Sequence, residues 1–139
     1  MTTRTSKRSS VREVALKHGF RSGLEDKIAA ELTSQGVSYR YEDPVDRIQY
    51  AVPERTAKYT PDFVLPNGIV VETKGRFVTE DRQKHKLIKE QCPGIDIRFV
   101  FSNPNARISK NSNTTYAMWC EKYGFKYAAR SIPKDWINE

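Results

Sequence analysis

A β-hairpin is the feature of this sequence that most restricts how the chain can fold. The pair Asn67-Gly68 separates two runs rich in β-branched, aromatic and aliphatic residues, Tyr59–Leu65 and Ile69–Lys74. An Asn-Gly pair tolerates the positive φ angles that a tight turn between antiparallel strands requires. The sequence therefore predicts that these two runs pair as neighbouring strands.

The length of the turn decides which side chains of the hairpin share a face. A two-residue loop pairs Asp62 with Thr73 and sends Glu72 to the other face. A three-residue loop, Pro66–Gly68, sets Asp62 directly across from Glu72. Any site that uses both carboxylates requires the second register, or a bulge that restores it.

The remaining pattern predicts a mixed sheet with helices on both faces, an α/β fold. Between residues 43 and 58 the periodicity blurs, which is typical of a connecting strand in an extended bridge. Helices are predicted over residues 22–34, from Thr79 to about Gln91, around Tyr116–Tyr123 and after Pro133, and further strands over residues 37–41 and 95–101.

Length and composition limit the class of protein. A chain of 139 residues is long enough for one domain and too short for two full-sized ones. It has neither a run of about 20 apolar residues nor the apolar core of a signal peptide, so we expect a cytoplasmic protein with no membrane partner. Only Cys92 and Cys120 are present, without a Cys/His cluster, so neither a disulfide framework nor a zinc site is indicated.

The positive charge is concentrated at the start of the chain. Residues 1–21 hold six basic residues against Glu13 alone, a net +5 of the total +7. Such a segment cannot bury enough apolar surface to order itself, but it attracts a phosphate backbone. We therefore divide the chain into a flexible basic arm, residues 1–19, and a folded domain, residues 20–139. A solubilising tail is the alternative for the arm. The basic residues are Arg4, Lys7, Arg8, Arg12, Lys17 and Arg21.

Asp62, Glu72 and Lys74 are the candidate chemical groups of the hairpin. Residues two apart on a strand point to the same face, so Glu72 and Lys74 lie side by side. Carboxylate oxygens hold Mg²⁺, and an ammonium orients water or offsets developing charge, which suits phosphodiester hydrolysis. The alternative is a solvated strand face with a surface Glu/Lys pair. Val64 and Val70 share this face, and a buried environment favours a site.

Glu25 has two interpretations. As the fourth residue of Ser22-x-x-Glu25 it can complete a capping box at the start of the first helix. It also flanks the apolar stripe Leu24, Ile28 and Leu32, so a helix packed on the sheet brings it within reach of a second metal ion. The sequence leaves both open.

The second helix carries donors suited to phosphate groups, which we take as candidate DNA-binding residues together with the arm and Arg76. Nearby acidic residues nearly cancel their charge, so an ordinary solvated helix face is the alternative. The helix donors are Arg82, Lys84, His85 and Lys86.

Several longer motifs, in order along the chain, carry a resemblance to a known family. They are Phe20-Arg-Ser-Gly-Leu-Glu-Asp-Lys27, Tyr59-Thr-Pro-Asp-Phe63, Leu65-Pro-Asn-Gly-Ile69, Val71-Glu-Thr-Lys-Gly75, Asp96-Ile-Arg-Phe-Val-Phe101 and Ile132-Pro-x-x-Trp-Ile137. Together they resemble the bacteriophage T-seven endonuclease I family of Holliday-junction resolvases. The resemblance spans about residues 20–138.

The resemblance implies a restriction-endonuclease-like core in which Asp62, Glu72 and Lys74 are catalytic and Glu25 is the helix glutamate of the site. It implies Mg²⁺, replaceable by Mn²⁺ and two per site, with the backbone carbonyl of Thr73 as a further ligand.

An intertwined, domain-swapped homodimer is also implied. Residues 43–58 then form the bridge between the copies, although they match the family poorly, and Glu25 reaches the other chain's site. The implied substrate is branched DNA, including four-way junctions. Alternatives are a nuclease of the same core that cuts linear or mismatched duplex, and a catalytically silent module that binds branched DNA.

Overall fold

A mixed sheet with helices on both faces forms the frame of the protein in the computed structural model, which describes residues 21–52 and 55–139. Its helices are α1 (Gly23–Ser34), α2 (Thr79–Gln91), α3 (Tyr116–Tyr123) and α4 (Lys134–Ile137), with a 3-10 turn at Pro44–Asp46. Its strands are β1 (Arg40–Tyr41), β2 (Ile48–Val52), β3 (Arg55–Tyr59), β4 (Phe63–Val64), β5 (Val70–Lys74), β6 (Ile97–Phe101) and β7 (Tyr127–Ala129). The predicted α/β class is confirmed.

The loop between β4 and β5 is the three-residue type. Gly68 has a positive φ of 90°, which a residue with a Cβ rarely adopts. The two strands are antiparallel, with Val64 paired to Val70. Phe63 is paired to Val71, and one position further from the turn the same register sets Asp62 across from Glu72. The register that a shared carboxylate site requires is therefore confirmed.

Separate apolar clusters cover the two faces of the sheet, because successive strand residues point to opposite sides. On one face, Ile28 and Leu32 of α1 pack with Val71 of β5. On the other, Ile88 of α2 and Trp119 of α3 lie in a second cluster. The central strands are therefore shielded from water on both sides.

The sheet order is β1-β4-β5-β6-β7, and β5, β6 and β7 run parallel. Lys74 is in register with Phe101, and Phe101 with Ala129, so the three parallel strands end in one row. We call this row the carboxyl edge. β7 was not predicted, since its three residues are too few for a periodic pattern.

Residues 43–52 and 55–58 belong to the segment predicted to bridge two copies. Within the single chain these residues form the 3-10 turn and most of a two-stranded pair, in which Ile48 of β2 pairs with Tyr59 of β3. The Gln91 side chain donates to Ala51 O and accepts from Ala51 N, each over 2.7 Å, and so docks the hairpin on α2. A bridge between two copies stays a prediction about the dimer.

The first strand is also shorter than predicted. Residues 37–41 contribute only Arg40–Tyr41 to the sheet, paired with β4. Val37 and Tyr39 still pack against the α1 cluster, so the alternating burial is retained without the hydrogen-bond ladder.

No helix of the described segments is long and apolar enough to cross a membrane. The predicted basic arm, residues 1–19, lies outside the described residues.

Candidate active site

Asp62 and Glu72 meet where the hairpin brings β4 and β5 together. Asp62 immediately precedes β4, and its backbone N–H donates to Glu72 Oε1 over 3.4 Å. The two residues are 8% and 4% exposed. A carboxylate pair with so little water contact is costly unless a proton or a cation compensates it.

Asp62 is held in place by the strand opposite. Its Oδ2 accepts from the backbone N–H and the hydroxyl of Thr73, each over 2.9 Å. Burial, with the charges of Glu72 and Glu25, raises the pKa of Asp62 well above its usual range. The carboxyl group is therefore rigidly oriented in an environment that disfavours its own charge.

Tyr59 orients the second carboxylate. This residue ends β3, is buried, and donates from its hydroxyl to Glu72 Oε1 over 2.6 Å. Burial and the charge of Glu72 raise the pKa of the Tyr59 phenol, so it stays a donor. No sequence pattern singled out Tyr59, because its contact with Glu72 depends on where the β2–β3 hairpin packs.

Lys74 lies between two carboxylates. Its Nζ is 3.5 Å from Glu72 Oε2 and 3.3 Å from Asp81 Oδ1, in the first turn of α2. Burial lowers the pKa of Lys74, but the charges of Glu72, Asp81 and Asp62 raise it by more. The lysine is therefore a held, protonated ammonium. Asp81 is not among the predicted site residues, because no rule of sequence spacing connects it with Lys74.

Glu25 both belongs to the start of α1 and faces the site. Its backbone N–H donates to Ser22 Oγ over 3.1 Å, which is the first half of a capping box. Its carboxylate does not return to Ser22; Oε1 accepts from Tyr41 Oη over 2.8 Å and from Arg21 N over 3.0 Å. The two interpretations of this residue are thus compatible within one chain.

A third acid joins Glu25 and Asp62. One carboxylate oxygen from each of these residues and from Glu42 lies within 4.8 Å of the others. Glu42 has a positive φ of 45°, and its N–H donates to Asp62 O over 3.1 Å. Sequence reasoning did not select Glu42. The following Asp43-Pro44 is a turn signal, but it does not show that the Glu42 side chain is directed towards Asp62.

Comparison with known proteins identifies the family. A family model described as Phage endonuclease I matches residues 5–139. The chain belongs to the phage endonuclease I family. It is 50% identical over 120 residues to Endonuclease I of Escherichia phage T7, covering 86% of this chain and 79% of that protein. Its identity to Endodeoxyribonuclease 1 of Enterobacteria phage T3 is also 50% over 120 residues, covering 86% and 78%. These matches confirm the resemblance inferred from the motifs.

The predicted DNA-binding residues in the described segments differ in how exposed their side chains are. Arg21 and Arg76 are exposed, and Arg21 pairs with Glu42 over 3.3 Å. Lys84 and Lys86 are half-buried, with ammonium groups 5.3 Å and 4.5 Å from the ring centroids of Tyr59 and Tyr123. The arm residues Arg4, Lys7, Arg8, Arg12 and Lys17 lie outside the described residues.

Two predicted contacts do not fit the positions of their side chains. His85 is 0% exposed, its Nδ1 bonds to Asp81 O over 3.0 Å, and its ring packs on Tyr59. Arg82 is buried and donates to Phe77 O and to Thr79 Oγ1. Both lie on the face of α2 that packs on the sheet, so neither is placed to meet a phosphate.

The donor set of this endonuclease I site fits a hard divalent cation. Asp62, Glu72 and Glu25 supply carboxylate oxygens, the ligands that Mg²⁺ and Mn²⁺ take in proteins. Asp62 lies in both groupings, paired with Glu72 on one side and with Glu25 and Glu42 on the other. Burial, followed by the charges of Glu72 and Glu25, raises the pKa of Asp62, and a bound cation would offset the clustered negative charge.

Proposed function

We propose that this chain is a DNA endonuclease that hydrolyses phosphodiester bonds with the help of a divalent metal ion. The observation that carries the proposal is the cluster of Asp62, Glu72 and Lys74. Asp62 and Glu72 are both buried, the backbone N–H of Asp62 donates to Glu72 Oε1, and Lys74 Nζ lies 3.5 Å from Glu72 Oε2. Such a cluster costs folding energy and adds little stability, so a catalytic role explains it better than a structural one. The relatives' names, an endonuclease and an endodeoxyribonuclease, support DNA as the substrate.

Asp62 and Glu72, with the backbone carbonyl of Thr73, would hold one metal ion, and Asp62 with Glu25 a second. A bound Mg²⁺ or Mn²⁺ polarises the phosphate and lowers the pKa of a water molecule. The chain's own contribution is orientation: Thr73 fixes Asp62, and Tyr59 fixes Glu72.

Lys74 would stabilise the negative charge that develops on the phosphate as it reacts. Its ammonium cannot be a metal ligand, but it can orient the attacking water and stabilise negative charge on the phosphate oxygens. Asp81 and Glu72 hold the ammonium from two sides, which limits its motion and keeps it protonated.

The preferred substrate in this proposal is branched DNA, in particular four-way junctions formed in phage DNA metabolism in the bacterial cytoplasm. Two active sites are needed to cut two strands of one junction, which a homodimer supplies.

The β2–β3 hairpin supplies a route to that dimer. If it opened, the segment that carries Glu25 would pass to a second copy, while Asp62, Glu72 and Lys74 would stay behind. Each active site would then be composite, with Glu25 from one chain and the other three residues from its partner. This is the swapped arrangement proposed for the dimer.

The test is cleavage of a labelled four-way junction and a linear duplex with the same arms, each with Mg²⁺ and with a chelator. We expect metal-dependent cutting of the junction well ahead of the duplex. Equal cutting of both would support a duplex nuclease of the same core, and binding without cutting would support a silent binding module. Glu72→Gln, purified identically, controls for contaminating nucleases.

A further inference from the structure

Arginine side chains in the described segments divide into those with partners and those without. Arg40 pairs with Asp46, and Arg98 with Asp96 and Glu139. Four exposed arginines differ, because they form neither an ion pair nor a side-chain hydrogen bond with another described residue. They are Arg55, Arg76, Arg107 and Arg130. A guanidinium without an internal partner has its donors available to a ligand.

Three of these arginines leave the same edge of the sheet. Arg76 follows Lys74 at the end of β5, Arg107 lies in the loop after β6, and Arg130 directly follows β7. Since neighbouring strands lie about 4.8 Å apart, the ends of β5 and β7 are roughly 10 Å from each other. Arg55 differs, because it lines a groove beside Glu80 and Asp81, whose carboxylates offset its charge.

Arg130 occupies a backbone conformation that arginine rarely adopts. Its φ is +66°, in the left-handed region that favours glycine and asparagine. The conformation is held by Arg130 N donating to Phe101 O over 2.9 Å and by Lys27 Nζ donating to Arg130 O over 3.1 Å. An unfavourable residue type kept at such a position points to a use for its side chain.

We propose that Arg76, Arg107 and Arg130, here called the arginine rim, bind the phosphate backbone of the DNA duplex next to the phosphate that is cut. The inference rests on the proposed function and adds Arg107 and Arg130 to the substrate-binding surface.

The acidic site creates the need for such a rim. Glu25, Glu42, Asp62 and Glu72 together repel a phosphate backbone, and Lys74 is already held by carboxylates. Guanidinium groups that follow the ends of β5, β6 and β7 would offset this repulsion, and a guanidinium matches phosphate oxygens two at a time. The roughly 10 Å between the ends of β5 and β7 is similar to the axial rise of about three base pairs, so neighbouring phosphates of one DNA strand could contact more than one of these arginines.

The test measures DNA affinity against salt concentration for Arg107→Gln and Arg130→Asn in a chelator, so that bound DNA is not cut. Each lost phosphate contact should raise Kd several-fold and reduce the slope of log K against log salt by about 0.9. Asparagine tolerates a positive φ, so the melting temperature of Arg130→Asn should not fall even though its DNA affinity does. Arg107→Gln tests the rim independently of any strain at Arg130.

Lys126→Gln is the matched control. Lys126 directly precedes β7, whereas Arg130 directly follows it, so the two residues flank opposite ends of the same strand. Lys126 is exposed and carries the same charge as Arg130. Its removal should leave the salt slope unchanged. The arginine rim would be overturned if its variants kept the wild-type salt slope, or if Lys126→Gln reduced the slope as much as they do. Metal-dependent cutting by the wild-type protein would still support the proposed function in that case. Wild-type protein that neither bound nor cut DNA would overturn both.

Discussion

Tyr59 and Glu72 are joined by a 2.6 Å hydrogen bond between the phenolic oxygen and Oε1 of the carboxylate. The bond links the end of the β2–β3 hairpin to the centre of the candidate site. Because a buried carboxylate without donors is free to rotate, the hydroxyl of Tyr59 keeps the carboxylate of Glu72 oriented. The position of the hairpin thus affects the geometry of the proposed metal ligand Glu72.

Tyr59→Phe should weaken metal binding while leaving the fold intact. The change deletes one oxygen that orients a ligand, and losses of this kind reduce metal affinity by about 10–100-fold. Cleavage rate as a function of Mg²⁺ concentration measures it, and the half-maximal concentration should rise while saturating Mg²⁺ restores most of the rate. Tyr50→Phe removes the same atom from a buried tyrosine away from Glu72 and is the control. An unchanged metal requirement in Tyr59→Phe would contradict the role assigned to the hydroxyl.

Asp62→Asn and Glu72→Gln should each abolish cutting and spare DNA binding. Each removes a metal-ligand charge without touching the cationic surface, so the cleavage rate should fall by more than about a thousandfold. Lys74→Ala should also stop cleavage but leave metal binding intact, since an ammonium is not a ligand. Gel-shift and single-turnover assays on one junction separate the two properties. Parallel losses of binding and cleavage would refute the assigned roles.

Asp62→Asn should stabilise the metal-free protein at neutral pH. Burial, Glu72 and Glu25 raise the folded-state pKa of Asp62 above its unfolded value, so the folded state binds the proton more tightly. The stability linked to Asp62 is then present below the unfolded pKa and is lost as pH rises through the folded pKa. Asparagine does not titrate, and its advantage should therefore grow with pH. Thermal melts in a chelator across acid to neutral pH check this, and a difference independent of pH would be the contrary result.

A heterodimer of Glu25→Gln and Glu72→Gln chains tests the composite site. Each variant alone should be inactive. If Glu25 serves the partner's site, one site of the heterodimer collects both defects and the other is intact, so the protein nicks one strand of a junction without completing resolution. Co-expression with two different tags and purification of the mixed dimer provide the sample.

The outcome of that experiment separates the swapped dimer from a site built within one chain. If Glu25 acts in its own chain, each site of the heterodimer keeps one defect and no nicking is seen. A mixture of the two homodimers, never co-expressed, is the control for slow chain exchange. If the protein is monomeric in solution, the proposal of a dimer is itself contradicted.

Removal of residues 1–19 should weaken DNA binding and flatten its salt dependence. That segment holds five basic residues against Glu13, so its loss should reduce the number of counterions released on binding. Affinity measured at several salt concentrations gives the slope, and circular dichroism shows whether the remaining domain folds. A slope equal to that of the full chain would identify the arm as a solubilising tail.

Much of the site could be predicted from short-range rules. The Asn-Gly turn signal and the two-residue period of the strands predicted the hairpin and put Glu72 and Lys74 on one face, because both effects act within about a dozen residues. The three-residue loop that adds Asp62 to this face was one of two registers that the sequence left open. α2 and α3 were also placed correctly, since capping residues and Gly or Pro signals are local. The β7 strand was missed because three residues carry no period.

Tertiary packing decided the rest. Tyr59, Asp81 and Glu42 join the site from three separate segments, and no rule of spacing connects them to Glu72, Lys74 or Asp62.

The orientation of α2 shows the same limit in a single element. Ile88 is its only buried aliphatic residue, so the hydrophobic pattern does not show which face of α2 is covered, and it does not predict that His85 and Arg82 are buried. Residue type and local periodicity determined which segments became strands and helices and which acids shared a strand face. Which side chains surround those acids depends on how the hairpin and α2 pack on the sheet. Desolvation and Coulomb energies depend on distances through space, and these distances cannot be read from the spacing of residues in the sequence.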